Sequence, residues 1–215
     1  MSVDLHQLAG SIVVGDRTQA VVVTQQAIAE GLDPQVIIGE GLTAGMAVVG
    51  AKFKADEFYV PDVLIAARAM NECLALLKPL LSETTIQPLG IVVIGTVKDD
   101  IHEIGKNLVA MMLRGNGFEV IDLGVDVAAN MLVEAARAHG AQVVAISALL
   151  TTTVPRMKEV VEAFAAAGLR ERVKILIGGA PVTQEFANQI AADGYAPDAA
   201  RAVEVTKALL HLPVA

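Results

Sequence analysis

Apolar positions along the chain change period near residue 86. Before that point they recur every three to four residues, the spacing of a helix face. Leu5, Leu8 and Ile12 mark a first helix. Asp16 stands where a second helix needs an N-cap, and Gly31 where it needs a stop. Asp33-Pro34 restarts the chain. The aspartate suits an N-cap, and the proline suits the first helical position, where a missing N–H costs nothing. The third helix carries Val36, Ile37, Met46 and Val49, with Gly39, Gly41 and Gly45 inside it. Glycines cost helix stability, so either close helix packing or a ligand requires them. Pro61 opens a fourth helix with Val63, Ala67, Met70, Leu74, Leu77 and Leu81 on one face. Four short antiparallel helices make a small bundle.

Residues 82–89 (SETTIQPL) are polar and read as a linker. Beyond them, short β-rich runs at 90–95, 118–123, 142–147, 173–177 and 194–196 alternate with helical runs near 104–115, 128–139, 154–167, 183–192 and 198–211. Near-continuous apolar strands between helices imply a parallel sheet covered on both faces. Five strands suit the flavodoxin-like order 2-1-3-4-5, in which ligands bind at the carboxyl ends of the strands. The expected fold is thus α plus α/β: a helical domain over 1–86, then a Rossmann-like domain over 87–215.

Composition narrows the class. Of 215 residues 54% are hydrophobic but only 3% aromatic, so the core is aliphatic and the chain is not disordered. One cysteine, Cys73, excludes a disulfide scaffold. A net charge of −8 offers no basic face for nucleic acid. The longest uncharged stretch, 138–155, contains His139, Gly140, Gln142, Ser147, three threonines and Pro155, and reads as a strand plus loop, not a membrane span. The N-terminus shows no basic region followed by an apolar core, so the expected compartment is the cytoplasm.

Three loops at the carboxyl edge carry the candidate chemistry. After strand 1 comes Thr96-Val97-Lys98-Asp99-Asp100-Ile101-His102-Glu103-Ile104-Gly105. His102 fits a metal ligand, a general base or a solvated loop residue. A carboxylate beside a histidine can accept its N–H, fix the tautomer and strengthen the other nitrogen as a ligand. Gly105 lets a ligand or backbone approach. Neither a P-loop nor a GxGxxG fingerprint is present. After strand 3, Ser147-Ala148-Leu149-Leu150-Thr151-Thr152-Thr153 supplies four hydroxyls, which fit either a helix cap or contacts to a polar cofactor. Gly178-Gly179 after strand 4 leaves room for something bulky. One cysteine and one well-placed histidine cannot build a tetrahedral zinc site. A single protein ligand suits a metal already held by a macrocycle.

Asp100-x-His102-x-x-Gly105, then Ser147-x-Leu149 after 41 residues, then Gly178-Gly179 after 28 more, resembles the DxHxxG…SxL…GG signature of cobalamin-binding domains. Gly45-Met46, Val49-Gly50, Phe53 and Phe58-Tyr59-Val60-Pro61 resemble the helical cap that accompanies this domain in methionine synthase and in the corrinoid proteins of methyltransferase systems. The resemblance implies that His102 is the axial ligand of cobalt, that Asp100 hydrogen-bonds it, and that Ser147 extends the relay. It implies cofactor contacts from Asp99, Ile101 and Glu103 beside the histidine, and from Thr151 on the corrin side. The nucleotide tail would pass Ser147, Leu149, Gly178 and Gly179, with Ala199 near the last strand. Phe53 and Val60 would cover the methyl-bearing face, and Glu40 matches a cap glutamate once a one-residue gap is allowed. Three of the seven aromatics, Phe53, Phe58 and Tyr59, fall within seven residues at that lid.

The function implied is that of a corrinoid carrier, not a complete enzyme. It would shuttle a methyl group between a donor-specific methyltransferase and a second one with a folate or thiol acceptor, with a reductive activase as a further partner. Two alternatives share the motif: the cobalamin subunit of an adenosylcobalamin mutase, and a cobalamin-dependent sensor. Mutases place a substrate barrel where this chain has a helical cap. Sensors normally add a DNA-binding module, and no segment here reads as one.

Overall fold

The computed structural model describes residues 3–81 and 88–213. Most of the polar linker at 82–89 therefore lies outside the described residues. Contacts divide the chain into two compact units, one within Met1–Gln87 and one from Pro88 onward, apart from the turn Gly115–Gly117.

Four helical rods form the N-terminal unit: α1 (Leu5–Val13), α2 (Arg17–Ala29), α3 (Pro34–Lys54) and α4 (Val60–Leu81). Their starts follow the capping chemistry legible in the sequence. Asp4, Asp16 and Asp33 each accept a backbone N–H of the first turn, and Pro34 occupies the first turn of α3. At the start of α4, Asp62 accepts the Tyr59 N–H at 2.8 Å. The bundle core is aliphatic: Leu8, Ile12, Ile37, Leu42, Met46, Val49 and Leu77 are buried. Among the described residues α3 is long and apolar enough, by length and composition, to cross a bilayer. Its buried side is taken up within the unit. A Cβ at Gly41 would stand 2.5 Å from Leu8 Cδ2, and one at Gly45 2.8 Å from Ala9 O and Ile12 Cβ. These two glycines are therefore required by close packing on α1. Gly39 faces open space. The segment Ile37–Thr43 of α3 is wound as a π-helix, which the sequence did not lead us to expect.

In the second unit the strands are β1 (Ile91–Thr96), β2 (Glu119–Asp122), β3 (Val143–Ser147), β4 (Lys174–Gly178) and β5 (Gly194–Ala196). All neighbours pair in parallel, in the order β2-β1-β3-β4-β5, as the alternating pattern predicts. The connecting helices are α5 (Ile104–Gly115), α6 (Ala129–His139), α7 (Arg156–Ala166), α8 (Gln184–Gln189) and α9 (Ala199–Leu209). Helix α7 begins at Arg156 with Pro155 as its cap, slightly later than expected, because the preceding threonines form turns. The core joins Val93, Val144, Ile146, Ile175 and Ile177 of the sheet to Leu132, Met157 and Phe164 of the helices. Each such buried side chain contributes about 1.5–3 kcal/mol, enough to fix which face each strand presents. The register aligns Thr96, Ser147, Gly178 and Ala196 in one row across four strands at their carboxyl ends. Small and hydroxyl side chains form that row, and the candidate loops leave from it.

Candidate corrinoid site

Asp100 is the centre of the loop after β1. It is fully buried, and a buried carboxylate is tolerated only when its lone pairs are satisfied. Oδ1 accepts the His102 backbone N–H at 3.1 Å and faces His102 Nδ1 at 2.7 Å. Oδ2 accepts the Leu149 N–H at 2.8 Å, the Leu150 N–H at 3.3 Å and the Thr153 hydroxyl at 2.6 Å. Burial by itself would raise the carboxyl pKa, but the Thr153, Leu149 and His102 donors outweigh it and hold the group well below the usual carboxylate range. An ionised carboxylate only accepts, so Nδ1 donates to Asp100, and Nε2 is the ring nitrogen left for a ligand. The ring is held from its backbone too: buried Thr96 donates its hydroxyl to His102 O at 2.8 Å.

The outer nitrogen has no hydrogen bond among the described residues, and the side chain is 45% exposed. On the two loops that carry His102 and the donors to Asp100, four large apolar side chains lie open: Ile101 at 74%, Ile104 at 78%, Leu149 at 43% and Leu150 at 42% exposure. Among the described residues no group of three or more His, Cys, Asp or Glu could hold a metal. A lone imidazole donor on an apolar surface fits a metal delivered inside a flat, largely apolar macrocycle, and fits no metal that the protein itself must cage.

The sequence-predicted residues distribute unevenly. Asp100, His102 and Leu149 are brought into direct hydrogen-bonded contact. The relay assigned to Ser147 is corrected: the hydroxyl on Asp100 belongs to Thr153, six residues further along and buried. Ser147 instead sits in the register row between Thr96 and Gly178. Asp99 turns to Arg156, at 2.7 and 3.1 Å. Glu103 and Thr151 are exposed. Gly178 and Gly179 are demanded by the protein's own backbone: a Cβ would lie 2.8 Å from Ala196 O at the first and 1.9 Å from Ala148 O at the second. Gly105 differs, since a Cβ there would meet nothing within 4 Å. Ala199 is buried at the start of α9, capped by Asp198. In the N-terminal unit Phe53 and Val60 are half-buried, and Lys52 Nζ stands 5.2 Å from the Phe58 ring centroid. Glu40 lines a cavity of about 420 Å³ with Val3, Asp4, Leu5, His6, Leu32 and Val36.

A parallel sheet with an outward imidazole, backed by a buried carboxylate at its carboxyl edge, defines a cobalamin-binding protein. The B12 binding domain family matches residues 90–204, and a second B12 binding domain family matches residues 4–78. The chain belongs to this family of corrinoid proteins, and its cofactor is a corrinoid. Dimethylamine corrinoid protein 1 of Methanosarcina acetivorans is 42% identical over 207 residues, covering 96% of this chain and 97% of that protein. Trimethylamine corrinoid protein of Methanosarcina barkeri is 46% identical over 192 residues, 88% of each. Among solved structures, the methanol:cobalamin methyltransferase complex of Methanosarcina barkeri matches at TM-score 0.87 and 33% identity, covering 96% of this chain and 79% of that one.

Proposed function

We propose that this chain is a cytoplasmic corrinoid methyl carrier, working between a methyltransferase that takes methyl groups from a methylated amine and a second that passes them to a folate or thiol. The observation that carries the reading is the His102–Asp100–Thr153 chain, which leaves one imidazole nitrogen facing outward on an apolar surface. When bound, the corrinoid supplies a cobalt that accepts a methyl group from one enzyme and yields it to another. His102 Nε2 would be the protein's donor to that cobalt. Asp100 holds the imidazole in the Nδ1–H form and strengthens its donor nitrogen, and Thr153 keeps Asp100 ionised. The exposed side chains of Ile101, Ile104, Leu149 and Leu150 would offer the macrocycle an apolar surface that releases water on contact. Asp99, Glu103 and Thr151 would contact the macrocycle, and Ser147, Gly178, Gly179 and Ala199 would contact the nucleotide tail. Residues 1–86 would serve as the cap, with Phe53, Val60 and Glu40 as its cofactor-contacting residues. Residues 87–215 form the cobalamin domain. The amine donor is favoured by the names of the 42% and 46% identical relatives. A reductive activase would restore cobalt that has lost its reduced state. The buried free thiol of Cys73 suits a reducing compartment.

The test is reconstitution with cobalamin followed by ultraviolet–visible and electron paramagnetic resonance spectra. Wild type should bind base-off with a nitrogen donor from the protein, and His102→Ala should lose that donor signal while still retaining corrinoid. Wild type, supplied with dimethylamine and an amine methyltransferase, should be methylated. An unchanged His102→Ala spectrum overturns the ligand assignment, and no methylation by any amine donor overturns the donor class.

A further inference from the structure

The loop that carries His102 is secured from a second side by a residue that touches neither the imidazole nor its carboxylate. Asp126 lies beyond β2, in the Val125–Val127 stretch that returns alongside β1. Its carboxylate Oδ1 accepts the Asp99 backbone N–H at 2.8 Å. The same carboxylate receives Lys98 Nζ at 2.8 and 2.9 Å. Its own N–H donates to Asp100 O at 2.9 Å. The next residue, Val127, bridges to Val97 and donates its N–H to Thr96 O at 2.9 Å. Three consecutive loop residues, Lys98, Asp99 and Asp100, are thus all bound to Asp126.

The backbone shows why such a clamp is needed. Asp99 has φ of 69° and Asp126 has φ of 55°, both in the left-handed region that non-glycine residues seldom adopt. Each is strained and persists only where its surroundings fix it. Asp99 sits directly before Asp100. If its peptide left the left-handed well, the Asp100 carbonyl and side chain would rotate away from Leu149 and Thr153, and the imidazole would move with them. From the other side Asp99 is held by Arg156 of α7.

We propose that Asp126 is a positioning residue for the axial imidazole, acting through the Asp99 peptide rather than by contact with the cofactor. The inference rests on the reading of His102 as cobalt's ligand. It distinguishes the two functions of the Asp126 side chain. The acceptor oxygen for Asp99 N–H sets the loop, while the ion pair with Lys98 is exposed and screened by solvent.

Three variants separate these functions. Asp126→Asn keeps an acceptor for Asp99 N–H and discards the charge. Asp126→Gly removes the acceptor while relieving the left-handed backbone. Asp126→Ala removes the acceptor and adds backbone strain. The readout is the fraction of bound corrinoid carrying a protein nitrogen donor, taken from the absorption and paramagnetic resonance spectra of the reconstituted proteins, with Tm measured on the same samples. Asn should match wild type. Gly should lower the equilibrium constant for imidazole coordination by about tenfold, the size of effect seen when outer-shell partners of a metal-bound histidine are removed. Ala should do at least the same. A folded Gly variant that coordinates as wild type does, or an Asn variant as impaired as Gly, overturns the proposal. Because Gly and Ala could fail to fold, amide exchange on the cofactor-free wild type gives an independent reading. The Asp99 N–H should exchange far more slowly than an open loop amide, and exchange at the free-peptide rate overturns the clamp. His102→Ala run in parallel keeps the two levels apart. If it leaves the spectrum unchanged, the ligand reading fails. If it abolishes the donor signal and Asp126→Gly does not lower it, only the present proposal fails.

Discussion

After β1 the chain is held by donors, and after β4 it is held by the absence of side chains. Asp100 collects five hydrogen bonds from the two loops around it, and removing any one leaves the others in place. Gly178 and Gly179 have no comparable network. They bring backbone against backbone, with the Gly179 position 1.9 Å from Ala148 O once a Cβ is added and its φ at 131°. Both stretches lie at the carboxyl edge of one sheet, yet they fail differently. A polar network loses stability in steps, whereas a steric fit fails at once. Residues at this edge therefore divide into those the fold requires, those only a cofactor requires, and those that serve both.

The largest effect is expected from Gly179→Ala. A methyl group cannot enter at that distance, and φ of 131° is closed to an L side chain, so the β3 and β4 ends must separate. We expect a loss of at least about 4 kcal/mol in urea unfolding of the cofactor-free protein, or no soluble protein. A stable Gly179→Ala protein would mean that this edge opens freely, and that the glycine serves the cofactor alone.

A smaller effect tests the polar side. Thr153→Val removes the shortest of the three donors to Oδ2 of buried, ionised Asp100, which should cost about 2 kcal/mol in the cofactor-free protein. Ser147→Ala should cost less than about 0.5 kcal/mol, the range of substitutions that break no specific interaction. Equal losses in the two would return the relay to Ser147. The contrast also explains what could be read in advance. Asp100 and His102 stand two apart in one loop, so their pairing is local and legible. Thr153 meets Asp100 across 53 residues, and which of four hydroxyls arrives depends on the turns at 151–155. Strand periodicity ends at Ser147 and says nothing about a turn beyond it.

The helical unit repeats that lesson. Caps at Asp16 and Asp33 follow from local rules and appear where those rules place them. The same holds for the burial of Leu8, Ile12, Ile37, Met46, Val49, Val63, Ala67, Met70 and Leu77, whereas Val36 is exposed and Leu5 and Leu74 are half-buried. The glycines of α3 posed a choice between packing and ligand that only the fold resolves, with Gly41 and Gly45 against α1 and Gly39 open. The π-helical segment was not legible because apolar spacing marks a helical face without distinguishing i→i+4 from i→i+5 bonding. It adds a residue to the turn holding Glu40, the position at which the match to the cap needed a one-residue gap. The sheet order was legible for the opposite reason: five apolar runs separated by helices leave few right-handed parallel arrangements.

The smallest stability change separates fold from cofactor most cleanly. Gly105 is exposed in the first turn of α5, its φ is not left-handed, and a Cβ there would meet nothing within 4 Å. Nothing in the protein requires a glycine, and the helix pays for one, since alanine is favoured by up to about 1 kcal/mol at helical positions. Gly105→Ala should therefore stabilise the cofactor-free protein slightly, by about 0.5 kcal/mol near the helix end. It should also weaken corrinoid binding by about tenfold or more, equivalent to ~1.4 kcal/mol, because the methyl group occupies space next to His102 that the macrocycle needs. Calorimetric unfolding and equilibrium binding on the same preparation measure both. Gly179→Ala damages the fold before the cofactor enters, whereas Gly105→Ala should damage only the cofactor's place. A Gly105→Ala protein that gains stability and binds corrinoid as wild type does would show that nothing approaches α5 there, and the macrocycle would then have to lie over Leu149 and Leu150 instead.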